Sequence, residues 1–204
     1  MRDDFKALMM AMPSQAVIES SSQNCNPVAV FAAREGIRQK LAQQTKSLIL
    51  SALTSAEEKW AGNASARHLR NAMLNWGTSI QDETAIDLAQ QQARHENMSL
   101  SQGALSALNR LALPARDEAM QAFHDKWHND SLVMEKWFAL QASSPKMGTI
   151  AHLETLMAHP VFDPNNPNKF RSVLGVFAAM NPTQFHAEDG SGYDFMAKQL
   201  IALD

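Results

Sequence analysis

The chain has 204 residues, somewhat more than a typical domain of about 150, and its 31 Ala, 20 Leu, 14 Gln and 12 Met outweigh a combined 15 Val, Ile and Tyr, which excludes an all-β protein or a parallel sheet. Eighteen Lys and Arg against 21 Asp and Glu leave a net charge of -3, removing the electrostatic case for nucleic acid or an anionic membrane as partner. The single cysteine, Cys25, permits no internal disulfide, no apolar run approaches ~18 residues, and Met1-Arg2-Asp3-Asp4 opens no signal peptide, so the expected location is cytoplasmic.

In chain order, Asp3 to Met12 reads as a first helix stopped by Pro13. After the polar stretch Ser20-Ser21-Ser22-Gln23-Asn24, Asn26 caps and Pro27 opens a segment running through Val30, Ile37, Leu41, Leu48 and Leu53 to about Trp60. It reads as two helices breaking near Gln44-Thr45. Ser65 to Trp76 places Leu69, Ala72, Met73 and Trp76 on one face and is expected to end at Gly77. Helices follow over Thr84–His95, Ser101–Leu111 and Pro114–His128. Ser131–Gln141 is apolar almost all round and therefore expected to be central. Gly148–Ala158 follows, then Phe170–Met180 with its Phe170, Val173, Leu174 and Phe177 stripe, and last Tyr193–Leu203. Two loops, His159–Asn168 and Asn181–Gly192, are long and rich in Pro, Asn and Gly. Roughly ten helices joined by short connections predict an all-α fold over residues 1–204, a single domain of antiparallel helix hairpins stacked as an armadillo- or HEAT-like superhelix. No fixed-period consensus supports tetratricopeptide or ankyrin repeats.

Chemistry-bearing residues are sparse. His124 and His128 stand at i, i+4, an echo of HExxH, but Asp125 replaces the Glu and no third acidic ligand follows, so they read as two helix-surface histidines. Cys25 lies among polar residues beside Asn24 and Asn26 and reads as an incidental loop thiol rather than a nucleophile. His186-Ala187-Glu188-Asp189-Gly190-Ser191-Gly192 holds a base, carboxylates and a hydroxyl without the strand-turn-helix setting of a nucleophile elbow, and reads as a capped loop. Asn63-Ala64-Ser65, Asn97-Met98-Ser99 and Asn129-Asp130-Ser131 match the glycosylation pattern, which carries no meaning without secretion. The residues assemble no catalytic site and no metal site.

The strings Asp125-Lys126-Trp127-His128, Leu132-Val133-Met134-Glu135-Lys136-Trp137-Phe138, Asn166-Pro167-Asn168 and Phe185-His186-Ala187-Glu188-Asp189-Gly190-Ser191-Gly192-Tyr193 resemble, in order and spacing, the C-terminal helical domain of bacterial aminopeptidase N. The resemblance is loose before about Ser65 and close from Pro114. It implies a zinc metallopeptidase as parent, with HExxH and GAMEN motifs that this chain lacks. On that resemblance the chain is a non-catalytic piece, cut short of the family's usual end. It would close over the catalytic domain of its own parent, hold no zinc of its own, and shape the cavity that peptide substrates enter. The alternative is a freestanding helical interaction module. Arg171, in the matching segment Asn166–Ser172, is expected at the edge of its helix's buried stripe, within reach of the turn at Asn166 and Asn168 and facing the peptide. The last helix spreads Phe195, Met196, Leu200, Ile201 and Leu203 over too broad an arc for one buried side, which predicts exposed apolar surface and self-association.

Overall fold

The computed structural model describes residues 2–21, 23–55 and 59–203. Met1, Ser22, residues 56–58 and Asp204 lie outside the described residues, and with them one residue of the polar stretch and part of the run expected to reach Trp60. The described residues are helical with no strand, so the fold is all-α. The chain divides into two compact units, residues 1–24 with 32–120, and residues 25–31 with 121–204.

The first unit holds α1 (Asp3–Met9), α2 (Gln15–Ser20), most of α3 (Pro27–Gln44), α4 (Lys46–Leu53), α5 (Ala64–Ser79), α6 (Glu83–Ala93), α7 (Met98–Leu108) and the start of α8 (Pro114–Trp127). Helix α5 is its centre, packed against α1, α4, α6 and α7. Side-chain caps set the starts: Asn63 accepts from Ser65 and Ala66, Asp82 from Ala85, and Asn97 from Ser99 and Leu100. Two of the three glycosylation-like triplets are thus helix caps. The break at Gln44-Thr45 falls as expected, whereas α4 stops at Leu53, well before Trp60. Trp60 is instead buried with Ala66 and Leu100, and the Arg70 guanidinium lies 3.9 Å from its ring centre. Helix α1 ends at Met9 rather than Met12, and the short α2, capped by Ser14, lies between Pro13 and the polar stretch, where the sequence reading placed no element.

Gly77 corrects the sequence reading most clearly. It does not end its helix, which continues to Ser79 and reverses at Gln81 with φ 54°. A Cβ on Gly77 would lie 2.7 Å from the Cβ of Ala85, so the glycine admits α6 rather than terminating α5.

The second unit contains the first turn of α3, capped by Asn26, and the end of α8. It continues with α9 (Ser131–Ala142), α10 (Ile150–Met157) and an unbroken helical run from Pro167 to Met180. That run comprises α11 (Pro167–Phe170), a π turn (Arg171–Gly175) and α12 (Val176–Met180), followed by α13 (Pro182–Phe185) and α14 (Ser191–Ile201). Met134, Phe138, Leu153, Leu174 and Phe177 are essentially inaccessible and form its core, with Phe195 joining edge-on to Phe177. Helix α9 is central on one face only, because Leu132 is 68% exposed. Within the expected second loop, Asn181 is fully buried and its amide donates to the carbonyls of Ala142, Ser144 and Gly148.

Candidate functional site

Arg171 opens the π turn. Asn166 caps the helix before it, its side-chain oxygen accepting from Asn168 and Lys169, and Lys169 Nζ donates to the Val161 carbonyl. Ser172, Val173 and Leu174 turn inward while Arg171 is exposed. Its guanidinium has no hydrogen bond or ion pair with any described residue, so the expected reach to the turn at Asn166 and Asn168 is not made, and the Asn166 side-chain oxygen serves the helix cap instead. Gly175, one turn on, lies beside the Arg171 stem, at 3.5 Å from Cβ to Cβ were it substituted. A widened turn of this kind spoils the regular backbone ladder locally and recurs at functional positions.

The second cluster departs from the sequence reading. His124 is half-buried rather than a surface residue, its Nε2 lying 3.1 Å from Nε2 of His159, with Trp137 packed 5.1 Å from the His124 ring and 5.8 Å from His159. The partners dictate the tautomers. Val161 N–H donates to His159 Nδ1, so His159 carries its proton on Nε2 and donates it to His124, whose remaining N–H faces Asp125. Burial, and then the neighbouring His124, hold His159 below the usual imidazole pKa. His128 is exposed, its ring stacked 5.9 Å from that of His124 and its Nδ1 facing the Asp125 carbonyl at 3.0 Å. No group of three or more His, Cys, Asp or Glu among the described residues is placed to hold a metal ion.

The loop after α13 is built for turning. Gly190 takes φ 75°, and Asp189 accepts from the Ser191 amide; the Ser191 hydroxyl first, and then that amide, hold its carboxyl below the ordinary range. His186 Nδ1 faces the Tyr193 hydroxyl. Cys25 is half-buried in the turn before α3.

The whole sequence, residues 1–204, matches the family described as "Domain of unknown function (DUF3458_C) ARM repeats". The chain belongs to the DUF3458_C ARM-repeat family. Aminopeptidase N of Escherichia coli (strain K12) is 36% identical over 204 residues, covering 97% of this chain and 23% of that protein. Aminopeptidase N of Caulobacter vibrioides is 31% identical over 208 residues, 98% of this chain and 24% of that protein. Legionella pneumophila aminopeptidase A, solved in complex with aspartic acid, superposes with a TM-score of 0.83 and 26% identity over 100% of this chain and 25% of its own. The DUF3458_C chain therefore spans about a quarter of the curated relatives it matches, and corresponds to a helical domain of an aminopeptidase. No helix among its described residues is long and apolar enough to cross a membrane.

Sequence reasoning missed His159 and Asn181 in this DUF3458_C chain. Both sit in segments read as loops, and their only local signal was a polar residue beside a proline.

Proposed function

We propose that the chain is the non-catalytic helical domain of a cytoplasmic zinc aminopeptidase, closing over the catalytic domain of its own parent and shaping the cavity that peptides enter. The parent removes N-terminal residues from peptides with a zinc bound by its catalytic domain. The present chain supplies no HExxH and no GAMEN motif, and its part is steric and electrostatic. Arg171 is the residue assigned to the peptide.

One observation carries that assignment: an exposed guanidinium on a π turn, with none of its donors taken by a described residue, beside neighbours that are capped or buried. An arginine kept only to anchor its own helix would be paired internally. A free fork of N–H groups binds a peptide carbonyl or carboxylate in two-point fashion, which a lysine does not reproduce.

The test uses the full-length enzyme. Arg171→Ala raises KM for peptides of several residues more than for a single-residue substrate, and Arg171→Lys restores little of the loss. Equal effects on both substrate lengths refute the assignment of Arg171. Peptidase turnover by the 204-residue chain alone refutes the wider reading.

A further inference from the structure

The first unit carries a cleft of about 400 Å³, within the range of small-molecule sites, and three arginines line it: Arg34 and Arg38 from α3 and Arg110 just after α7. No Asp or Glu is among the described residues that line it. The nearby carboxylate, Glu35, is held through one oxygen by both Arg38 Nη2 and Arg110 Nη1. Glu35 thus pairs with two of the three arginines that line the cleft, and Arg34 has no ion pair among the described residues.

The excess is felt inside the protein. The Arg38 side chain is only 7% exposed, and its pKa is lowered to about 10, first by burial and then by the charge of Arg110, with Arg34 adding to it against the pull of Glu35. Positive charge that depresses a buried arginine is charge that an anion would relieve.

Donor accounting gives the ligand its chemistry. Arg34 uses only Nε, donating to the Pro13 carbonyl, and its two terminal nitrogens have no acceptor among the described residues. Arg110 uses only Nη1. The Asn75 oxygen accepts from Arg38 at 2.9 Å, and because a guanidinium can only donate, this fixes the amide with its NH₂ left over. The Trp76 indole N–H also has no acceptor among the described residues. What the cleft lacks is therefore an acceptor of negative charge, beside an apolar wall of Met10, Met12 and Trp76.

We propose that this cleft binds a small organic oxyanion, a carboxylate or phosphate borne on an apolar body, with the oxyanion held by Arg34 and Arg110 and the body lying against Met10, Met12 and Trp76. The site lies wholly within the first unit and stands independently of the role given to Arg171.

The full chain is titrated with hexanoate, hexyl phosphate and hexylammonium at constant chloride, and the indole and arginine Nε–H resonances are followed. At least one of the two anions binds saturably with Kd of about 1 mM or tighter, and hexylammonium does not bind. The tighter of the two anions identifies the headgroup. Arg34→Ala with Arg110→Ala weakens the binding at least about tenfold, while circular dichroism shows the fold intact, as expected for two side chains at the cleft rim. Arg110→Lys alone, keeping the charge but losing the fork, weakens it less. Unsaturable shifts up to about 10 mM, equal binding of hexylammonium, or indifference to the double substitution would each overturn the proposal.

Discussion

Gly148 lies directly against the side chain of Asn181: a Cβ at Gly148 would come within 2.6 Å of the amide nitrogen that Asn181 shares among the carbonyls of Ala142, Ser144 and Gly148. The Asn181 oxygen accepts from the Gln184 amide and the Thr183 hydroxyl, so one buried side chain joins the end of α9 to the start of α13. Deleting it orphans several buried polar groups at once. Asn181→Ala is expected to cost about 2–4 kcal/mol, and Gly148→Ala about 2 kcal/mol or more, since the new Cβ meets both that amide and the carbonyl oxygens of Ala142 and Ser144 at 2.7 Å. Urea denaturation of both single variants and the double tests this, because the double should cost less than the sum if both act on one interaction.

Two glycines in helices give opposite results on substitution by alanine. Gly36 on α3 has nothing within 4 Å of an added Cβ, so Gly36→Ala should gain roughly 0.5–1 kcal/mol from reduced unfolded-state entropy and better helix propensity. Gly77→Ala has the same propensity gain but meets the Ala85 Cβ at 2.7 Å, and should lose about 1–3 kcal/mol net as α5 and α6 are forced apart. Thermal midpoints moving in opposite directions are the expected outcome. A higher midpoint for Gly77→Ala would refute the packing argument.

The His124 and His159 pair makes stability depend on acidity. Because the folded pKa of His159 is lowered from 6.5, the unfolded chain takes up a proton before the native one does as pH falls. The contribution of neutral His159 is fully present above pH 6.5 and declines as pH falls from there toward the folded pKa. Protonated His159 also gives up the bond from the Val161 amide. Denaturant midpoints compared at about pH 7.5 and about pH 5.5 should fall more for the native chain than for His159→Phe. Equal falls would contradict the assignment.

At the end of α14, Leu200, Ile201 and Leu203 are 51%, 74% and 43% exposed, as the breadth of the apolar arc implies. Such a patch favours association. Sedimentation should show a mass that rises with concentration, and Ile201→Asp should lower it toward the monomer. A strict monomer at high concentration would count against this.

The sequence alone determined the helical class, the order of the helices and most of their buried faces. Leu153, Leu174 and Phe177 fall inward as their spacing predicts, and Asn26-Pro27 states its own cap, whereas on α5 the expected face of Leu69, Ala72, Met73 and Trp76 is only half-buried and Ala66, Arg70, Leu74 and Thr78 are buried instead. Those signals are local, carried within a few residues by backbone preference and by the 3.6-residue period. Four strings of the second unit, from Asp125 to Tyr193, also carried the resemblance to the family.

What the tertiary structure alone decided are the relations between helices. Gly77 reads locally as a stop and proves to be a contact with Ala85, a residue of the next helix. His124 reads as exposed until His159 and Trp137 come beside it. Arg34 and Arg38 share one helix face in any reading, but Arg110 is distant in sequence, and only folding brings it to the same carboxylate of Glu35. The reason is physical: burial, charge crowding and hydrogen-bond satisfaction are set by neighbours in space, and no periodicity along one helix specifies which residues another helix will bring.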